Sequence, residues 1–213
     1  MNCRCVSFGS RRKFLQILSN MLTREAWNAL LKVLEDGMVE PVGAKLVLHG
    51  NAKSDDEIEL AVAKGVGLVV VDNFDDIDRL ERFVPPGHTQ ACLVRVIPGV
   101  SAATHAAVAT GDANSKFGLL PDEARRAIAR IERSSKLHCA GVHTHVGSQL
   151  LNVEQLAEAV APIAALGSFE VYDLGGGLGV RYTYDDHPPS LADYADAMVT
   201  QARELLPADA RII

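Results

Sequence analysis

From residue 45 onward, short apolar runs alternate along the chain with amphipathic stretches. The run LVVVD at 68–72 is almost entirely apolar, as expected for a strand that is buried on both faces of a parallel sheet. Regular alternation of strands and helices indicates right-handed crossovers and a parallel sheet whose strands are neighbours in chain order. The predicted strands are 45–50, 68–72, 92–99, 137–145, 169–177 and 210–213.

The helices between these strands carry start and stop signals. Ser54, Asn73 and Ser190 are predicted to cap helices, because their side chains can accept hydrogen bonds from the first unpaired N–H groups. Ser54 and Glu57 have the spacing of a capping box. Pro121 is predicted to begin a helix with one apolar face, and residues 153–166 form a further predicted helix that contains a proline.

Six strands are fewer than the eight of a closed (β/α)8 barrel, and the chain stops inside the sixth. We therefore expect a partial barrel, with an open doubly wound sheet as the alternative. Residues 1–42 show no clear strand pattern. Residues 11–36 are instead predicted to form a helix whose apolar face covers the open edge of the barrel.

Composition narrows the class of protein. A chain of 213 residues with 48% hydrophobic residues is long enough for one sizeable core, and a net charge of −6 argues against nucleic-acid binding. The four cysteines form no C-x-x-C pair and are expected to be free thiols. Neither a signal peptide nor an apolar run of about 20 residues is present, so we expect a cytoplasmic protein without membrane contacts.

The motif GVHTHVGSQ at 141–149 places two histidines near the end of a predicted strand. Residues two apart on a strand share a face, so His143 and His145 are candidate ligands of a metal-dependent hydrolase. That alternative needs further ligands, for which His49 and Asp173 are at suitable strand ends. Buried histidines that only bind their neighbours are the simpler interpretation.

The motif DLGGGLG at 173–179 favours a different ligand. Three consecutive glycines after a strand expose backbone N–H groups and let an anion approach closely, which suits a phosphate. A glycine triplet alone is a weak signal, since tight turns also use glycine. Together with Gly147 and Ser148 after the preceding strand, it predicts a phosphorylated cofactor.

Five stretches of the sequence together resemble the barrel domain of diaminopimelate decarboxylases, which are alanine-racemase-like enzymes dependent on pyridoxal phosphate. The resemblance covers about residues 36–213 and leaves 1–35 as a segment foreign to the family. It implies strands 3–8 of a (β/α)8 barrel, without the family's C-terminal β-domain. The stretches are HGNAKSDDEIELAVAKGVGLVVVDNFDDIDRL, VRVIPGV, THAAVATGDANSKFG, GVHTHVGSQ and DLGGGLGV.

The resemblance also implies roles for individual residues. His145 matches a histidine that stacks on the cofactor ring, and Ser148 with Gly175, Gly176 and Gly177 matches the phosphate contacts. Arg95 matches an arginine that faces the cofactor. His49, Asn51 and Lys116 match positions around the pocket, although turn and cap roles suit His49 and Asn51 equally well. The implied reaction converts meso-diaminopimelate to L-lysine and carbon dioxide, in lysine biosynthesis, and full-length members are homodimers.

Two family motifs have no counterpart in this sequence. The family binds its cofactor through a Schiff-base lysine in a Tyr-Ala-x-Lys type of motif, and a Glu-Pro-Gly-Arg motif contacts the pyridine nitrogen and the phosphate. We therefore expect a fragment that does not decarboxylate by itself. The alternatives are a carrier-type barrel protein that binds pyridoxal phosphate and the metal-dependent hydrolase that uses His143 and His145.

Overall fold

The strands follow one another in the sheet in the same order as along the chain. The computed structural model describes residues 15–18, 46–99, 117–147 and 149–213. Sheet order is β1-β2-β3-β4-β5-β6-β7, which confirms the predicted order. The strands are β1 (Leu15–Leu18), β2 (Leu46–His49), β3 (Leu68–Val71), β4 (Gln90–Val96), β5 (Leu137–Thr144), β6 (Val171–Asp173) and β7 (Arg211–Ile212).

Six helices lie between the strands in the described part of the chain. All three predicted caps are confirmed, because Ser54, Asn73 and Ser190 each accept a backbone hydrogen bond at a helix start, and Ser54 forms the capping box with Glu57. None of these helices is both long and apolar enough to cross a membrane. The helices are α1 (Asp55–Ala63), α2 (Phe74–Phe83), α3 (Pro121–Arg133), α4 (Val153–Glu158), α5 (Val160–Ala164) and α6 (Leu191–Leu205).

The chain divides into two compact units. The described residues of the first unit include β1, β2 and β3 with α1 and α2, and those of the second include β6 and β7 with α4, α5 and α6. The boundary crosses β4 after Cys92 and β5 after Cys139. Cys92 and Cys139 form no disulfide bond in the described part of the chain, and Cys3 and Cys5 lie outside it.

The core of the first unit is built around β3. All four residues of β3 are at most 1% exposed, as its uninterrupted apolar sequence predicts. It pairs in parallel with β2, and β2 pairs in parallel with β1. Helix α2 adds Ile77 and Leu80, which are fully buried.

A buried ion pair holds the chain that follows β2. Lys53 Nζ lies 2.7 Å from Asp76 Oδ2, and both side chains are fully buried. The same ammonium donates a hydrogen bond to the Gly50 carbonyl, and Asp76 also accepts from the Asp72 N–H at 2.9 Å. Burial raises the pKa of Asp76, and the positive charge of Lys53 opposes that rise. The pair therefore fixes the loop after β2 to the first turn of α2.

In the second unit, β6 lies between β5 and β7 and pairs in parallel with both. Helix α3, which contributes its first part to this unit, begins at Pro121 as predicted. Ala124 and Ala127 on its apolar face are fully buried.

Strand β1 corrects the predicted N-terminal helix. Leu15–Leu18 pair with Leu46–His49 in parallel, where a helix over 11–36 was expected. The four residues LQIL are too few for their periodicity to distinguish strand from helix, and they form a strand here because they pair with the backbone of β2. The rest of the predicted helix lies outside the described residues.

The predicted helix over 153–166 is interrupted in the structure. Helix α4 ends at Glu158, and α5 begins two residues later at Val160. Pro162 explains the interruption because it has no N–H to donate four residues back, and its ring would collide with the carbonyl group of Glu158.

Removing the charge of Lys53 should strongly destabilise the protein. We expect Lys53→Met to lower the free energy of unfolding by up to about 3–5 kcal/mol, because the buried Asp76 would lose the nearer of its two cations and keep only Arg79, at 3.5 Å. Adding Asp76→Asn to that variant should restore part of the loss, since the amide is neutral and can still bind the Asp72 N–H. Urea denaturation measures both effects.

The matched control is Arg82→Met, which breaks an ion pair with Asp55 whose side chains are 56% and 52% exposed. Such exposed pairs contribute at most about 1 kcal/mol. A Lys53→Met variant that loses no more stability than Arg82→Met would contradict the structural role of the buried pair.

Candidate functional site

The site is built where β5 and β6 end side by side. Their register places His143 opposite Asp173. Gly141, two residues earlier on β5, allows the close approach of the strands, because a Cβ atom at that position would lie 1.8 Å from the Val171 carbonyl oxygen. The two chain segments that leave these strands therefore start from adjacent positions.

Asp173 links the end of β6 to the turn that follows it. Its Oδ1 atom lies 3.2 Å from His143 Nδ1 and accepts a hydrogen bond of 3.0 Å from the Gly175 N–H. The His143 and Asp173 side chains are only 3% and 2% exposed. One buried carboxylate oxygen thus orients the first glycine of the triplet.

Two of the three glycines are required by close backbone contacts. Gly175 has φ +70°, and a Cβ there would lie 2.3 Å from the Thr144 carbonyl oxygen. Gly177 has φ +120°, and a Cβ there would lie 2.0 Å from the Gly147 carbonyl oxygen. Any other residue would suffer both an unfavourable backbone conformation and a collision at either position.

Gly176, between them, is different. A Cβ at this position would meet no atom within 4 Å, so the middle of the turn faces open space. Its N–H donates to His145 Nδ1 at 3.4 Å, which in a neutral ring leaves the proton on Nε2. The Gly177 N–H has no acceptor within the described part of the chain. This space is bordered by backbone N–H groups and by the partly exposed imidazole of His145.

Comparison with known proteins identifies the family. Residues 30–213 match the family described as pyridoxal-dependent decarboxylase, pyridoxal binding domain. The chain belongs to this family. The cofactor of the family is pyridoxal phosphate, and the chain has the barrel fold predicted above, as part of an alanine-racemase-like (β/α)8 barrel.

The similar proteins are longer than this chain. The sequence is 36% identical over 172 residues to diaminopimelate decarboxylase of Bacillus subtilis, which covers 75% of this chain and 39% of that enzyme. It is 43% identical over 145 residues to the enzyme of Actinosynnema pretiosum, covering 65% and 33% of the two chains. The crystal structure of the Helicobacter pylori enzyme complexed with L-lysine superposes with a TM-score of 0.80 at 26% identity, over 95% of this chain and 50% of that one.

Family membership decides against a metal-dependent hydrolase that uses His143 and His145. The two histidines contact different neighbours: His143 lies beside Asp173, whereas His145 accepts a hydrogen bond from Gly176. Strand β5 ends at Thr144, so the alternation of side chains along a strand does not extend to His145.

The other predicted site residues are placed as follows. Arg95 lies on β4 with its guanidinium carbon 5.2 Å from the centre of the Phe117 ring. His49 is the buried last residue of β2, and the Asn51 carbonyl accepts a hydrogen bond of 3.4 Å from the Asn73 side chain, in keeping with a turn role. Lys116 and Ser148 lie outside the described residues, and the cofactor roles of all these residues stay predictions.

Sequence reasoning missed two residues of this region. Tyr194, on α6, is close enough to Asp173 for that charge to add to burial in raising the pKa of the phenol above its ordinary value. Gln149 bonds to the backbone beyond the glycine triplet. Gln149 ends the motif GVHTHVGSQ but is given no role by it, and Tyr194 belongs to none of the motifs. Both residues act through contacts that are distant in sequence.

The three glycines should respond differently to alanine. We expect Gly175→Ala and Gly177→Ala each to destabilise the protein by about 1–3 kcal/mol, because a methyl group would collide with a backbone carbonyl. Gly176→Ala should change stability by no more than about 0.5 kcal/mol, since the space beside it is open. Urea unfolding of the three variants checks this, and equal losses at all three positions would show that the turn is arranged otherwise.

Proposed function

We propose that this chain forms the cofactor-binding barrel portion of a diaminopimelate decarboxylase, and that its glycine turn binds the phosphate of pyridoxal phosphate. The open space at Gly176, bordered by N–H groups and the His145 ring, is the observation that carries the proposal. The similarity to diaminopimelate decarboxylases of two bacteria supports the choice of enzyme.

The phosphate would be held by the N–H groups of Gly176 and Gly177, together with the hydroxyl group of Ser148. Gly175 would not donate to the phosphate, because its N–H already donates a hydrogen bond of 3.0 Å to the Asp173 carboxylate. The Gly176 N–H makes only a long hydrogen bond of 3.4 Å to His145, so exchanging that acceptor for a phosphate oxygen would cost little. His145 would then present its ring to the pyridine ring, and Arg95 would face the cofactor from β4.

When bound, pyridoxal phosphate supplies an electron sink for the electron pair left as an α-carboxylate departs as carbon dioxide. The residues of this chain bind and orient that group. The buried Asp173 carboxylate contributes by fixing the first residue of the turn, so the phosphate donors are arranged before the ligand arrives.

The substrate that fits the proposal best is meso-diaminopimelate, with L-lysine as product. The solved Helicobacter pylori relative contains L-lysine, which supports a site for a basic amino acid. We also propose that the working enzyme is a cytoplasmic homodimer, as the family resemblance implies.

The 213 residues contain no Tyr-Ala-x-Lys motif for a covalent link to the cofactor. We therefore propose that they bind pyridoxal phosphate without turning over substrate. A few hydrogen bonds of roughly 0.5–1.5 kcal/mol each, less the cost of immobilising the ligand, correspond to a dissociation constant of about micromolar to millimolar.

The test is to titrate the purified chain with pyridoxal phosphate, reduce a sample with borohydride and search for a pyridoxyl-lysine by mass spectrometry. We expect weak, saturable binding and no stoichiometric labelling. Stoichiometric labelling of one lysine, together with lysine formation from diaminopimelate, would contradict the proposed lack of turnover. Stoichiometric labelling without turnover would favour the carrier-type protein.

Gly176→Ala provides the site-specific control. Its methyl group would occupy the proposed phosphate position without disturbing the fold, so binding should weaken by roughly tenfold or more while the unfolding midpoint stays unchanged. Unchanged affinity in this variant would remove the glycine turn from the proposed site.

A further inference from the structure

Gln149 has an unusual backbone conformation for its residue type. Its φ is 62°, and among the residues described it is the one non-glycine residue with a positive φ. Residues other than glycine rarely adopt a positive φ, because their Cβ atom then crowds the following carbonyl group. Such a conformation persists where surrounding contacts hold it in place.

The side chain of Gln149 supplies contacts of that kind. Its Oε1 atom accepts a hydrogen bond of 3.0 Å from the Val180 N–H, and its Nε2 group donates to the Val180 carbonyl oxygen. Both ends of the carboxamide are therefore bound to one backbone residue, 31 positions away in sequence. The side chain binds Val180 much as a neighbouring strand would.

This pairing extends the contact between the two segments beyond the ends of β5 and β6. Leu150 N–H donates to the Gly177 carbonyl and Gly179 N–H donates to the Leu150 carbonyl, each at 2.8 Å. Gly177 packs against the Gly147 carbonyl, as described above. The glycine triplet is thus held by Asp173 at its start and by the contacts of residues 149 and 150 after its end.

We propose that Gln149 is a positioning residue for the phosphate-binding turn, acting through Val180 rather than by touching the ligand. The inference rests on the proposed function, because the proposed function assigns phosphate binding to this turn. It predicts that losing the carboxamide weakens binding of the phosphate group and leaves contacts to the pyridine ring largely unchanged.

Two substitutions separate the hydrogen bonds from the backbone strain. Gln149→Ala removes the carboxamide and keeps the unfavourable φ, whereas Gln149→Gly removes both. Gln201→Ala, on α6, is the matched control.

The probes are pyridoxine 5′-phosphate and pyridoxine, which share the ring and differ in the phosphate. Equilibrium dialysis should show roughly tenfold weaker binding of the phosphorylated probe in both Gln149 variants, and less than about twofold change for pyridoxine.

Hydrogen exchange of the Val180 amide, measured by NMR, provides a readout that needs no ligand. Exchange should accelerate in both Gln149 variants and not in Gln201→Ala. Unchanged Val180 exchange, wild-type affinity in Gln149→Gly, or an equal loss for both probes would each overturn the inference. Failure of the wild-type chain to bind either probe would contradict the proposed function and the phosphate part of the inference, while accelerated exchange would still show that Gln149 holds the turn.

Discussion

The second unit depends on backbone segments that approach too closely for any side chain to lie between them. Gly141 meets the Val171 carbonyl, Gly175 meets that of Thr144, and Gly177 meets that of Gly147. Each contact joins the segment that includes β5 to the segment that includes β6. As a consequence, the turn after β6 is held against the chain after β5 at Gly175 and at Gly177.

Close backbone packing also prepares the turn for the phosphate that we propose it binds. A glycine-rich turn is costly to order because glycine loses more conformational freedom on folding than other residues. Here the cost is offset by hydrogen bonds from both sides: the Asp173 carboxylate binds Gly175, and Leu150 binds the Gly177 carbonyl. The turn is thereby ordered by protein contacts, and a ligand needs to order little more when it binds.

Much of the fold could be predicted because its signals are local. The caps at Ser54 and Asn73 are hydrogen bonds to residues three positions later, Glu57 and Asp76. The sequence therefore shows both partners of each contact side by side. Strand β1 could not be predicted in this way, since Leu15–Leu18 become a strand only by pairing with β2, about 30 residues later. Pro162 is visible in the sequence inside a predicted helix, but the sequence alone does not show that it divides this helix in two.

The candidate site likewise contains features that a local motif predicts and features that depend on contacts distant in sequence. The motifs point to the glycine triplet and to His145, but they do not show that Asp173 binds the Gly175 N–H, because that contact depends on how the chain folds. The two histidines show why spacing alone is insufficient. A separation of two residues predicts a shared face only while the strand continues, and β5 ends between His143 and His145. His143 therefore follows the sheet register to Asp173, while His145 is positioned by the turn, which is the element that binds its Nδ1 atom.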